Sequence, residues 1–167
     1  MKKIKLLSVF RYIIILLAVI NIDTAASETT TNIISTLNKS IHLDYWQVAK
    51  DSEPKNSLPT LPDSLWQLFQ PTLDDNRYTI GNWLIRTTVD ITDSINSKEV
   101  LGIFPLNFVT AYEIYWDGIK ISENGKIGIS TEDEKAGKYN FNLALPNDLL
   151  SKGRHTIVLR ISSHNSK

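Results

Sequence analysis

The segment Trp83 to Asp90 (WLIRTTVD) places Trp83, Ile85, Thr87 and Val89 on one side of an extended chain. Leu84, Arg86, Thr88 and Asp90 fall on the other. Period-two alternation with β-branched residues is the signature of a strand, because successive side chains in a pleated chain point to opposite faces. His155 to Ser162 (HTIVLRIS) is an equally strong strand, and Ala111 to Trp116 (AYEIYW) alternates with aromatic residues. Nothing after residue 27 sustains a helical period. Shorter strand candidates are Ile41 to Val48, Val100 to Phe104, and Phe141 to Leu145, which Pro146 ends. Many short strands separated by turn signals predict an all-β sandwich.

The connections carry their own chemistry. Asp117-Gly118 lies between Tyr115-Trp116 and Ile119-Ile121. Asp-Gly adopts the positive φ angles of a two-residue hairpin turn with little strain. Asn124-Gly125 is read as a second turn of that kind, and Leu149 to Gly153 as a reversal. Asp51 to Pro62 holds three prolines and is read as an extended connector, since proline removes a donor and biases its predecessor away from helix. Residues 63 to 69 are expected to form a helical turn capped by Asp63 or Ser64 and ended by Pro71.

The first 27 residues read as a secretory leader. Lys2, Lys3, Lys5 and Arg11 precede the apolar run Tyr12 to Ile20, and Thr24-Ala25-Ala26 supplies small residues for cleavage after Ala26 or Ser27. The rival is an uncleaved anchor. The uncharged run from Tyr12 to Ile22 has 11 residues, whereas a helix crossing a bilayer needs about 20, which favours cleavage. Residues 28–40 are polar and read as a flexible entry segment, and 41–167 as one domain. The chain is therefore expected to be exported, to the periplasm or cell envelope.

Charge and cysteine content remove several functions. The chain has 18 basic and 18 acidic residues. Four of the basic ones and one acidic one lie in the first 26, so the remainder carries a net charge of −3. That balance argues against nucleic acid as a partner, because phosphate binding needs a clustered Lys/Arg surplus. With no cysteine, disulfides, thiolate zinc sites and thiol nucleophiles are excluded.

Several motifs together resemble galactose-binding-like jelly-roll domains. They are Trp46, Leu65-Trp66 and Trp83 to Arg86; the hairpin Tyr112 to Ile121 with Gly125 and Gly128 after it; and Leu145-Pro146, Leu149-Leu150, Gly153 and Thr156 to Ile161. Domains of this type occur in family 2 glycoside hydrolases and at the front of bacterial membrane-bound signalling proteins such as sensor kinases. The resemblance spans 41–164. Trp116-Asp117 stands where Leu-Asn is commoner in the family. It implies a jelly-roll β-sandwich, here lacking its last strand or strands, and a chain that is the N-terminal part of a longer protein.

Catalytic groups are sparse. Of the histidines His42, His155 and His164, the first two lie on predicted strands with no His or carboxylate at ligand spacing and are expected in surface or rim roles. Glu113 and Asp117 are the one tempting carboxylate pair, with a solvated face and a turn as the plainer explanations. Asp74 and Asp75 are a calcium candidate, or simply an exposed acidic loop; otherwise no cofactor is expected. Trp46, Trp66 and Trp83 are assigned to core packing. Trp116, beside the turn, is expected to be exposed. With Tyr112, Tyr115 and Arg86 it forms the candidate ligand-binding set. The leading functional expectation is a non-catalytic periplasmic sensory input module, the N-terminal part of a membrane-bound bacterial signalling protein, that binds a small molecule or partner domain. The alternatives are a carbohydrate-binding accessory domain of an exported glycoside hydrolase and a free-standing structural protein.

Overall fold

The computed structural model describes residues 32–34, 43–52, 57–69, 80–93, 100–103, 110–138 and 141–164. The expected leader at residues 1–27, His42 and the calcium candidates Asp74 and Asp75 lie outside the described residues. Among the described residues nine strands follow one another: β1 (Asn32–Ile34), β2 (Trp46–Lys50), β3 (Gln67–Phe69), β4 (Gly81–Ile91), β5 (Gly102–Ile103), β6 (Ala111–Trp116), β7 (Ile119–Asn124), β8 (Leu143–Ala144) and β9 (Gly153–Ser163). Two short 3-10 turns, Asp63–Leu65 and Asn147–Leu149, are the other regular elements among the described residues.

The two strongest alternating segments form the spine. β4 and β9 run antiparallel and pair from Gly81↔Ser163 to Ile91↔Gly153. β6 lies on the far side of β9, and β7 folds back on β6. The sheet order is β3-β2-β4-β9-β6-β7. β4 is too long for β2 alone: β2 covers Trp83 to Arg86, and β1 covers Val89 to Ile91 in parallel. A separate ribbon, β5 with β8, forms the second layer. The molecule is thus an all-β sandwich.

Register decides which side chains share a face. Trp83, Ile85, Thr87 and Val89 lie with Ile161, Leu159, Ile157 and His155, and these with Tyr112, Ile114 and Trp116. This face carries the main core. Ile103 and Leu143 of the ribbon, with Leu145, Leu149 and Leu150, pack down on it. The opposite face carries Leu84, Arg86, Val158, Arg160, Glu113 and Tyr115. It is not open to solvent along its length, because Leu58, Leu61 and Trp66 pack on Leu84, Tyr115 and Val158. Residues 57–62 of the connector therefore help to cover the second face.

The hairpin forms as the sequence predicts. Asp117 and Gly118 have φ of 48° and 81° and join Trp116 to Ile119, as a two-residue turn of this hand requires. A register shift after Ile114 leaves Ile121 unpaired and packed against the core. At Asn124-Gly125 the glycine takes a positive φ, 82°, and the asparagine does not. Asn124 instead uses its side chain, accepting from the Lys138 N–H and donating to the Lys138 carbonyl.

Other expectations need correction. The entry segment was expected to be flexible, but Asn32–Ile34 is a strand. The buried Asn32 amide donates to Thr87 Oγ1 (2.8 Å) and accepts from the Asp44 N–H (3.1 Å), which fastens this polar stretch to the sheet. The strand placed at Ile41 to Val48 begins at Trp46 and continues to Lys50. The helical turn at 63–69 lasts three residues. Its cap position is Pro62 with no side-chain cap bond, and Gln67–Phe69 pairs with β2 instead.

Candidate functional site

The predicted ligand-binding residues do not form an exposed platform. Trp116 was expected to be the open aromatic; it is 1% exposed. Alternation turns Tyr112 and Trp116 toward the main core, and the connector buries Tyr115 on the other face. The Trp116 indole N–H donates to the Leu149 carbonyl at 3.0 Å, which fixes its ring beneath the 147–150 turn. Trp46, Trp66 and Trp83 are half-buried at the rims of the core clusters. Lys50 lies over the Trp83 ring at 4.2 Å.

Arg86 is the predicted binding residue that reaches solvent, its side chain 25% exposed. Its guanidinium lies 4.2 Å from the centre of the Trp66 ring. Nε donates to Gln47 Oε1 at 2.8 Å, and Nη2 pairs with Asp63 Oδ1 at 2.7 Å. β2, β4 and the first 3-10 turn thus converge on one planar cation. Among the described residues the buried Trp66 indole N–H has no hydrogen-bond partner. Each unsatisfied buried donor of this kind costs about 1–3 kcal/mol.

Deeper on the same face lies a charge network centred on Arg160. Arg160 Nε donates to Asp51 Oδ2 at 2.8 Å, with both side chains 1% exposed. Nη2 donates to the Ser57 carbonyl at 2.9 Å, and Nη1 approaches Glu113 Oε2 at 3.5 Å. Glu113 also accepts from the Tyr115 hydroxyl at 2.7 Å and from Lys120 at 2.6 Å, and Lys120 continues to Glu123. Burial works to raise the Glu113 pKa, but the bonds from Lys120 and Tyr115 and the charges of Lys120 and Arg160 outweigh it and hold the carboxyl below its ordinary value. Tyr115 is pushed up to about 12 by burial and by its bond to Glu113. Glu113 is therefore a partner in a buried network, not a residue of a solvated face.

His155 is a second departure from expectation. It was placed at a rim without a carboxylate partner, but it is buried and bonded on both ring nitrogens. Nδ1 lies 2.7 Å from Asp117 Oδ2, and Nε2 lies 2.7 Å from the Ser151 carbonyl. Asp117 Oδ1 accepts the Thr156 N–H at 2.7 Å. The Trp116 ring packs on the imidazole, centroids 4.9 Å apart. Burial lowers the His155 pKa, while the Asp117 and Ser151 bonds and the charges of Asp117 and Asp90 raise it, and the net shift is upward. The third histidine, His164, contacts Asn82 Oδ1 at 2.9 Å, and its N–H donates to Glu134.

Sequence reasoning missed Asp51, Asn32 and Asn82. One signal pointed to the first of these: Arg160 sits between Leu159 and Ile161 in a strand, and an arginine buried there requires an acid. Nothing local marks Asp51 as that acid.

The carboxylates once paired as a candidate glycosidase dyad are separated by the sheet. Glu113 joins Arg160 on one face, and Asp117 meets His155 on the other. A glycosidase needs two carboxyls flanking one bond, about 5–10 Å apart. Both ring nitrogens of His155 likewise face oxygen acceptors.

Neither a family model nor a curated protein sequence matches this chain. Among solved structures, a glycosyl hydrolase family 2 member from Bacteroides cellulosilyticus is similar, with a TM-score of 0.51 and 12% sequence identity. The similarity covers 74% of this chain and 17% of that one. At that identity the likeness is one of fold.

Proposed function

We propose that this chain is a non-catalytic β-sandwich module of an exported glycoside-hydrolase-type protein, and that it meets carbohydrate through the Arg86 surface. The placement of Glu113 and Asp117 on opposite faces of the sheet carries the non-catalytic part of this reading. The accessory role draws support from the similarity to a small portion of a much longer glycosyl hydrolase. Arg86 is chosen because it alone of the four candidate binding residues reaches solvent, and a planar guanidinium held by Gln47 and Asp63 is already oriented. The basic, apolar and small-residue pattern of residues 1–27 supports export. Sensory input, the leading expectation from sequence, gains nothing further from the geometry of the described residues.

Two assays on the purified protein test this. Aryl glycosides should not be turned over. A hydrolysis rate that falls in Glu113→Gln would overturn the non-catalytic reading. In affinity electrophoresis through polysaccharide gels, migration should be retarded, and Arg86→Ala should restore it. Retardation that Arg86→Ala leaves unchanged, or none in any gel, removes the binding role from this surface.

A further inference from the structure

His155 sits where three segments meet. It belongs to β9; its Nδ1 faces Asp117 in the β6–β7 turn, and its Nε2 faces the Ser151 carbonyl after the second 3-10 turn. Trp116 stacks on its ring and donates to the Leu149 carbonyl. Asp90 of β4 also acts on it through charge, itself paired with Arg154 through two 3.0 Å bonds. Every polar group bonded to the imidazole is an acceptor. A carbonyl oxygen has no proton to give, and the Asp117 carboxylate already accepts the Thr156 N–H. A neutral imidazole has one N–H and satisfies only one of these two oxygens. Both 2.7 Å contacts are hydrogen bonds only when the ring carries two protons.

We propose that His155 is a proton-operated latch: as imidazolium it fastens the loop at residues 147–151 to the β6–β7 turn, and on losing a proton it releases that loop. The proton leaves from Nε2 to solvent, because the proton on Nδ1 faces a carboxylate and is held more strongly. The Nε2 lone pair then points at the Ser151 carbonyl, and that contact turns repulsive. The loop keeps the Trp116 bond to Leu149 but loses its second fastening. Leu149 and Leu150, whose amides bond to Pro146 and Asn147 and whose side chains pack in the core, lie in the released segment.

Nitrogen-detected NMR on the whole protein, with His155→Gln to assign the signal, tests the latch. Both ring nitrogens should be protonated below pH 6.5, with a midpoint above that ordinary value. Hydrogen-exchange protection of the Leu149 and Leu150 amides should drop several-fold through the same midpoint. Asp117→Asn, which keeps an acceptor but removes the charge, should move the midpoint down. A ring carrying one proton below pH 6.5, or protection that stays constant through the midpoint, overturns the proposal. The hydrogen-exchange reading comes from the unaltered protein, so it stands even if a variant fails to fold.

Discussion

Arg160 stands in the middle of β9 between two apolar neighbours, and its charge is balanced by Asp51 rather than by water. A buried ion pair adds little stability over a well-packed apolar pair, but breaking one side of it leaves an uncompensated charge. Arg160→Met should therefore lower the unfolding free energy by about 3–5 kcal/mol. The double change Arg160→Met with Asp51→Leu should lower it less than Arg160→Met alone. Urea unfolding of the three proteins measures this. A double variant weaker than the single one would mean that the pair itself stabilises the fold. The two indoles give a matched contrast. Trp116→Phe strips the Leu149 carbonyl of a buried donor, whereas Trp66→Phe removes an N–H that has no partner among the described residues. The first should be the more costly, by about 1–3 kcal/mol. Thermal unfolding of both variants checks the order.

Turns and strands show where local sequence is a sufficient guide. The hairpin was legible because Asp117-Gly118 meets a backbone requirement that few dipeptides meet, and β4, β6 and β9 were legible because they are rich in the β-branched and aromatic residues that fit a pleated, packed surface. β1 was not, since a Thr/Asn-rich stretch carries no period and its partner, Val89 to Ile91, is remote in sequence. The role of residues 57–66 was hidden for a related reason: prolines report extended chain but not what the chain lies on. For the same cause Trp116 was misplaced, because proximity to a turn says nothing of the 3-10 turn that covers it. Glycines within these turns are separable by experiment. A Cβ at Gly118 meets nothing within 4 Å, so Gly118→Ala bears only the left-handed backbone cost, about 1–2 kcal/mol. At Gly125 the same atom would lie 2.4 Å from the Lys135 carbonyl oxygen. Gly125→Ala should therefore destabilise clearly more than Gly118→Ala in denaturant titrations, and equal effects would show that the 125–137 loop yields without cost.

At the scale of the molecule, the sheet keeps two titrating clusters apart, with Glu113 on one face and His155 on the other. Their signs are opposite. The Glu113 pKa is held below its ordinary 4.5 in the folded protein. Its contribution is complete above 4.5 and disappears as pH falls through the depressed folded value. Asp90, lowered chiefly by its bond to Arg154, acts in the same direction near the surface. The His155 pKa is raised above 6.5, so its contribution is complete below 6.5 and disappears as pH rises through the elevated folded value. Stability should therefore peak between these two ordinary values, in mildly acidic solution, and fall on either side. Because the clusters lie on opposite faces of the sheet, their effects should add. Glu113→Gln should flatten the acid limb and leave the alkaline limb intact, His155→Gln should do the reverse, and the double variant should flatten both. Urea midpoints measured across the pH range decide the matter. If either single variant alters both limbs, the sheet couples the two faces, and the His155 latch acts on the connector as well as on its own loop.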